Sequence, residues 1–270
     1  MRKMPNINLD KEEFKKMYLS DLFGRGIESR IVKSSDNTLY KLFFKAYQLL
    51  FSKAAYDSEK YLDNKLKKLK LIYNLSDKLQ DDLGPYNVLP LSTISVNGML
   101  VGYELTHDEY DQTLDETYLE YDEKLYCLKR THQILKCYEN YGIIYGDISA
   151  DNILVNSNSY LSMFCDIDNI QIGDYRMDTE HYILSEYISG RGDLDITAHA
   201  YMHNFVVLHT LVKQLKDREK TEKFLVSGEI YNYINFNDGL FKETAVKDII
   251  DSMRAPGDFN GEFIAQYIKK

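Results

Sequence analysis

The sequence predicts an α+β fold in which the strands come first and the helices follow. Strand-like runs bounded by turn residues recur up to Leu105, whereas apolar residues at helical spacing dominate Tyr118 to Lys216. Between the later elements lies a polar loop, Tyr145 to Asn152, set between apolar runs and followed by Ile153-Leu154-Val155. A further apolar run, Leu161 to Cys165, delivers Asp166. With 270 residues, the chain is long enough for one large domain or two lobes.

Composition narrows the function classes. An apolar share of 44% with 28% charged residues is that of a soluble globular protein. The net charge of −9 argues against a nucleic-acid partner, which needs clustered Lys and Arg for phosphate contacts. No apolar run has the ~18 residues of a membrane span, and the N-terminal stretch has no apolar signal core. Cys127, Cys137 and Cys165 are odd in number and lack metal spacing, so they read as buried thiols of a cytoplasmic protein.

In chain order, residues 1–20 read as a flexible N-terminal extension with room for one short helix. Gly24-x-Gly26-x-x-Ser29 follows between two apolar runs. It is either a loop whose backbone N–H groups approach a phosphate or an ordinary hairpin turn. After the turn signal Asp36-Asn37, Thr38 to Phe44 reads as a strand with Lys41 in its middle. A cation inside an apolar strand needs a partner or a ligand, unless it faces solvent.

Lys45 to Gln80 is helical in pattern, with Leu62, Leu66, Leu69 and Ile72 on one face. Glu59 and Asp57 are acids near its start. The lysines from Lys65 to Lys70 read as a solvated face. Gly84-Pro85 breaks the chain, and Asn97-Gly98 marks a hairpin between Val88–Ile94 and Met99–Leu105. A helix then runs from Tyr118 to Tyr141, with His132 on its core face. Another starts near His199.

The loop offers a carboxylate and an amide in the pattern Asp147-x4-Asn152, and Asp166 follows on a strand that suits a hairpin partner of Ile153–Val155. One base or orienter and two oxygen ligands for magnesium are what phosphoryl transfer needs. This set, in this order, resembles the protein-kinase-like superfamily, and within it the small atypical bacterial-type Ser/Thr kinases. The resemblance spans Gly24 to Asp166. It implies a two-lobed kinase-like fold: an N-lobe over 21–105 with a small antiparallel sheet and helix C, and a mainly helical C-lobe over 106–270.

The resemblance also implies roles. Gly24, Gly26 and Ser29 would cover the phosphates of ATP. Ile31, Leu39 and Leu154 would line the adenine pocket, and the backbone of Glu104-Leu105-Thr106 would be the hinge. Lys41, paired with Glu59, would contact the phosphates, Asn152 and Asp166 would hold Mg2+, and Asp147 would act on the acceptor hydroxyl.

The chain also departs from that pattern. Gly146 stands where many kinases have Arg, and Ser149 and Asp151 stand where a loop cation is expected. Asp168 replaces a glycine, and Asp195 or His199 stands in the region of the helix-borne Asp that clamps the catalytic loop. The expected activity is transfer of the ATP γ-phosphate to a hydroxyl on a protein. The alternatives are a small-molecule phosphotransferase of the aminoglycoside or choline type, whose long helical insertion is missing, and a nucleotide-binding pseudokinase that docks a partner.

Overall fold

The computed structural model describes residues 2–269 apart from 27, 35–37, 53–57, 85–88, 106–109, 117, 177–194, 212–217, 235–240 and 256–258. The expected Asp36-Asn37 turn, Asp57, Pro85, the hinge residue Thr106 and the segment after Arg176 therefore lie outside the described residues. The chain forms two compact units. One comprises Met1–Glu109 with Asp174–Asp178, and the other Tyr110–Gly173 with Thr179–Lys270.

The first unit is built on a mixed six-stranded sheet. Its strands are β1 (Asn6–Leu9), β2 (Leu22–Arg25), β3 (Ser29–Lys33), β4 (Leu39–Phe43), β5 (Pro90–Val96) and β6 (Met99–Leu105), in the spatial order β1-β5-β6-β4-β3-β2. All neighbours are antiparallel except β1, which runs parallel to β5. The register lines up Asn6, Thr93, Tyr103, Lys41, Ile31 and Gly24 in one row across all six strands. The β5–β6 turn has Asn97 at φ 52° and Gly98 at φ 80°, the two left-handed residues that an Asn-Gly hairpin needs. Gly102 sits where β6 crosses β4. A Cβ there would collide with the Lys41 carbonyl oxygen.

The N-terminal residues are not a loose extension. β1 joins the sheet, and α1 (Lys11–Tyr18) begins at a capping box in which Asp10 accepts from the Glu12 and Glu13 amides while Glu13 accepts from Asp10. Phe14 on α1 is fully buried and lies 6.4 Å, ring to ring, from Phe51 on α2 (Phe44–Phe51). Long α3 (Ser58–Leu83) buries a stripe through Tyr61, Leu62, Lys65, Lys68, Leu69, Ile72, Ser76 and Leu79.

The second unit is mainly helical. α4 (Tyr121–Asn140) ends at Gly142, whose φ of 67° provides the left-handed turn that stops the helix. The chain continues through β8 (Ile143–Tyr145), a short 3-10 turn (Ala150–Asn152), β9 (Ile153–Val155), β10 (Ser162–Phe164) and β11 (Ile170–Ile172). β9 pairs with β10 and with β7 (Gln112–Thr113), while β8 pairs with β11. Helices α5 (Ile196–Leu211), α6 (Arg218–Ser227) and α7 (Glu243–Met253) follow. α5 is buried almost all round, from Ala198 to Leu208. Among the described residues no helix is long and apolar enough to cross a membrane.

Candidate functional site

Two small sheets fix the polar loop in the second unit. β8 leads into it while paired to β11, and β9 leaves it while paired antiparallel to β10, the hairpin expected from the sequence. Three contacts then draw the key residues together. Asn152 donates from Nδ2 to the Asp147 carbonyl oxygen at 3.1 Å. The Cys165 amide donates to the Asn152 carbonyl oxygen at 3.0 Å. The Cys165 thiol lies 3.7 Å from Asn152 Oδ1. Asp147, Asn152 and the chain at Asp166 are thus assembled by backbone-anchored bonds rather than by loop chance.

Asp166 has a φ of 57°, a left-handed conformation unusual for a residue with a side chain. The Asn169 amide closes the turn onto the Asp166 carbonyl oxygen at 2.9 Å. The backbone is therefore not extended here, and Asp166 and Asp168 do not share a face as strand neighbours would. Asp168 lies in this turn and is 1% exposed.

Tyr145 joins both arms of the loop. Its phenol donates to the Cys165 carbonyl oxygen at 2.5 Å, and its ring lies 4.7 Å from that of Phe164. Burial pushes this phenol up, with Asp147 and Asp166 adding to the effect, so it stays a neutral donor. The Tyr145 backbone N–H donates to Nε2 of His199 on α5. Nε2 must then be unprotonated, which leaves the proton on Nδ1, 3.4 Å from Glu139 Oε1. Burial lowers the His199 pKa, with Glu139 acting against it. Burial also works against the Glu139 carboxylate, but His199 and Lys136 outweigh it and hold this acid below its usual range.

Of the two residues offered for clamping the loop, His199 reaches it through the Tyr145 amide. Asp195 instead caps its own helix, accepting from the Thr197 and Ala198 amides at 3.0 and 3.1 Å. His132, expected as a satisfied core residue, has no hydrogen-bond partner for Nε2 among the described residues and packs 4.5 Å from the Phe263 ring. The three cysteines are free thiols, with Cys127 and Cys137 buried.

The first unit collects its own candidates. The pleat puts Leu39 and Leu105, paired with each other, on the same sheet face as Ile31, Lys41 and Tyr103. Lys41 is only 3% exposed, and its Nζ stands 6.0 Å from the centre of the Tyr103 ring. Glu104 faces the other way and accepts from Ser92 Oγ at 2.6 Å. Gly24 and Ser29 lie on the β2–β3 hairpin, closed by the Gly26 amide on the Ser29 carbonyl oxygen at 2.9 Å. Leu154 is on β9 in the second unit, opposite Met163.

Among the described residues no ion pair joins Lys41 to Glu59. Glu59 is exposed in the first turn of α3, off the buried stripe. The inward-facing charges of α3 are lysines, and Lys65 and Lys68 are each fully buried rather than solvated. Lys65 pairs with Glu28 at 3.4 Å, and the Tyr61 phenol donates to the same carboxylate at 2.7 Å. The glycine hairpin is thereby tied to α3 through Glu28. Sequence reasoning missed Glu28, Lys65 and Lys68. The signal lay in the stripe itself, since the lysines at 65 and 68 continue the spacing of Tyr61 and Ile72.

Among the described residues no group of three or more His, Cys, Asp or Glu side chains could hold a metal. A magnesium ion asks for less, because it keeps several waters and uses one or two carboxylates with substrate phosphates. Asn152 fits that demand. Its Nδ2 is committed to Asp147, and among the described residues only a weakly interacting thiol faces its Oδ1. The chain matches no protein-family model, and no curated protein matches it.

Proposed function

We propose that this chain is a magnesium- and ATP-dependent phosphotransferase acting on a hydroxyl acceptor, of the atypical Ser/Thr protein kinase type. The observation that carries this is the convergence of Asp147, Asn152 and the Cys165–Asp166 turn through bonds of 3.0 and 3.1 Å. Asn152 Oδ1 and the Asp166 carboxylate would hold the metal, which when bound neutralises phosphate charge and aligns the γ-phosphate. Asp147 orients the acceptor hydroxyl and takes its proton as the oxygen attacks the γ-phosphorus, while the β–γ bridging oxygen leaves with ADP. No loop cation assists, since Gly146, Ser149 and Asp151 occupy those places. Buried Lys41 supplies the fixed positive charge on the first unit. The chain has only the two-residue β7 described between β6 and α4, which leaves little chain for a small-molecule-binding insertion.

The test is incubation with Mg-ATP labelled in the γ-phosphate. Label on protein hydroxyls, lost in Asp147→Asn, supports the proposal. A second reading, nucleotide binding without transfer, is favoured by the exposure of Glu59. It would give saturable Mg-ATP binding and no label on any acceptor. Absence of both binding and transfer by folded protein removes both readings.

A further inference from the structure

The first unit holds a cavity of about 460 Å³ that shares no lining residue with the candidate site. It lies among β1, the β5–β6 hairpin and α3. Its floor is a hydrogen-bonded set on paired strands. Thr93 Oγ1 donates to Asn6 Oδ1 at 2.8 Å, and Ser95 Oγ donates to Asn8 Oδ1 at 2.7 Å. Asn6 Nδ2 binds Asn8 Oδ1 at 2.7 Å and Ser95 Oγ at 2.9 Å. That arrangement leaves the Asn8 Nδ2 group as a donor with no acceptor among the described residues. Leu66, Lys70 and Asn74 form one wall, at successive turns of α3, and buried Met4 and Leu100 give the cavity an apolar end.

The charge of the lining is one-sided. Arg2, Lys3 and Lys70 line the cavity, and no Asp or Glu does. The whole chain carries −9, so a cation-only cavity runs against its average. Arg2 is already committed. Its Nη1 binds both Asp77 oxygens at 2.8 and 2.9 Å, its Nε binds the Tyr73 phenol at 2.9 Å, and its guanidinium lies 4.3 Å from the Tyr73 ring centre. That clamp holds the N-terminal segment on α3 and so shapes the wall. Lys3 and Lys70 are different, for neither ammonium has an anionic partner among the described residues.

We propose that this cavity binds a small organic anion, a phosphate monoester or carboxylate with an apolar body. Its anionic group sits at the Lys3 and Lys70 ammoniums, and Asn8 Nδ2 donates to it or to a neighbouring oxygen. The apolar body lies against Leu66, Met4 and Leu100. A volume of this size suits a metabolite-sized ligand, and Lys binds phosphate or carboxylate as a point charge without the fork geometry of Arg.

Phenyl phosphate, benzoate, inorganic phosphate and phenol are titrated into the full chain, read by amide NMR shifts and thermal unfolding. Phenyl phosphate or benzoate should shift the amides of Lys3, Asn8, Thr93 and Gly98 saturably and raise the unfolding temperature. Phenol, which lacks the charge, and phosphate, which lacks the body, should bind at least about ten-fold more weakly. The exposed pair Lys3→Glu with Lys70→Glu should fold normally and lose binding at least about ten-fold. Lys41→Met should leave it unchanged, which separates this site from the proposed nucleotide site. No saturable shift at ~10 mM of either organic anion, equal binding of phosphate alone, or binding unaffected by the double Glu variant would each overturn the proposal.

Discussion

His199 on α5 accepts the backbone N–H of Tyr145, two residues before Asp147. A side chain from a buried helix thus sets the height of the loop. His199→Ala leaves that amide buried without an acceptor, which costs about 1–3 kcal/mol beyond the lost packing. His199→Gln keeps an acceptor oxygen near the position of Nε2 and should lose much less. Urea unfolding midpoints check the order. If the proposed chemistry holds, His199→Ala should lower kcat with little change in the KM for ATP, because it displaces Asp147 and touches no nucleotide contact.

Buried histidines on α4 and α5 make the fold sensitive to acid. His132, His199 and His203 all have pKa values lowered, chiefly by burial, to about 4 for His132 and about 3 for His203. The unfolded chain takes up protons at these rings below pH ~6.5, whereas the folded chain holds them neutral until more acid conditions. Stability is therefore full above that pH and falls below it, by at most about 1.4 kcal/mol per pH unit for a histidine that stays wholly neutral in the fold. Glu139, held below its usual range by His199 and Lys136, adds a further loss only at lower pH. Urea midpoints between pH 7 and 5 should fall steeply, and His132→Leu should reduce the slope by one histidine's share.

Lys65 and Glu28 should respond unequally to removal. Lys65 is fully buried and Glu28 is 26% exposed at the side chain. Glu28→Gln strips an anion from a buried ammonium and should cost about 1–3 kcal/mol, less than for a wholly buried pair because Glu28 reaches solvent. Lys65→Met carries the buried charge away and should cost less than Glu28→Gln. Equal losses in chemical unfolding would mean the pair does not act as a buried ion pair.

The elements that sequence made legible are those set by local chemistry. Asn97-Gly98 demanded a two-residue hairpin, and the backbone there is left-handed at both positions. The Asp-x4-Asn spacing and the apolar runs beside it foretold the β9–β10 hairpin. What escaped depended on distant partners. Asn6–Leu9 is too short and polar to declare itself a strand, and it becomes one only by pairing with Thr93–Val96. Lys65 and Lys68 looked solvated because residue type was weighed above stripe position. Either Asp195 or His199 suited the clamp by sequence, and the bond from the Tyr145 amide to His199 and the capping bonds of Asp195 are what separate them.

Gly102 offers a test of the strand that carries Lys41. A Cβ on β6 at this point meets the Lys41 carbonyl oxygen and closely approaches Leu42 Cα, at 3.2 Å. The obstacle is mostly backbone, which cannot swing aside as a long side chain can. Gly102→Ala should therefore destabilise by about 1–3 kcal/mol, as overpacking does in a close-packed core. It should also weaken Mg-ATP binding if Lys41 holds the phosphates. An unchanged unfolding midpoint would show that β4 and β6 can separate without penalty.

Asp147 and Asp166 should do different work although both are carboxylates. Asp147 is 8% exposed, and its backbone carbonyl is held by Asn152. Asp166 follows β10 in a left-handed turn next to Asn152 and is half-buried. The first placement suits a group that handles the acceptor proton, and the second suits a ligand for a hard cation. Asp147→Asn should leave Mg-ATP affinity nearly intact and lower turnover about 10²-fold or more. Asp166→Asn should lower turnover and also flatten the magnesium dependence of nucleotide binding. Calorimetry at varied magnesium separates the two, provided each variant keeps the wild-type unfolding midpoint. Full activity in Asp147→Asn would mean that another group takes the proton and that the loop does not serve the transfer. Identical effects of the two substitutions on binding would mean that the carboxylates act as one site.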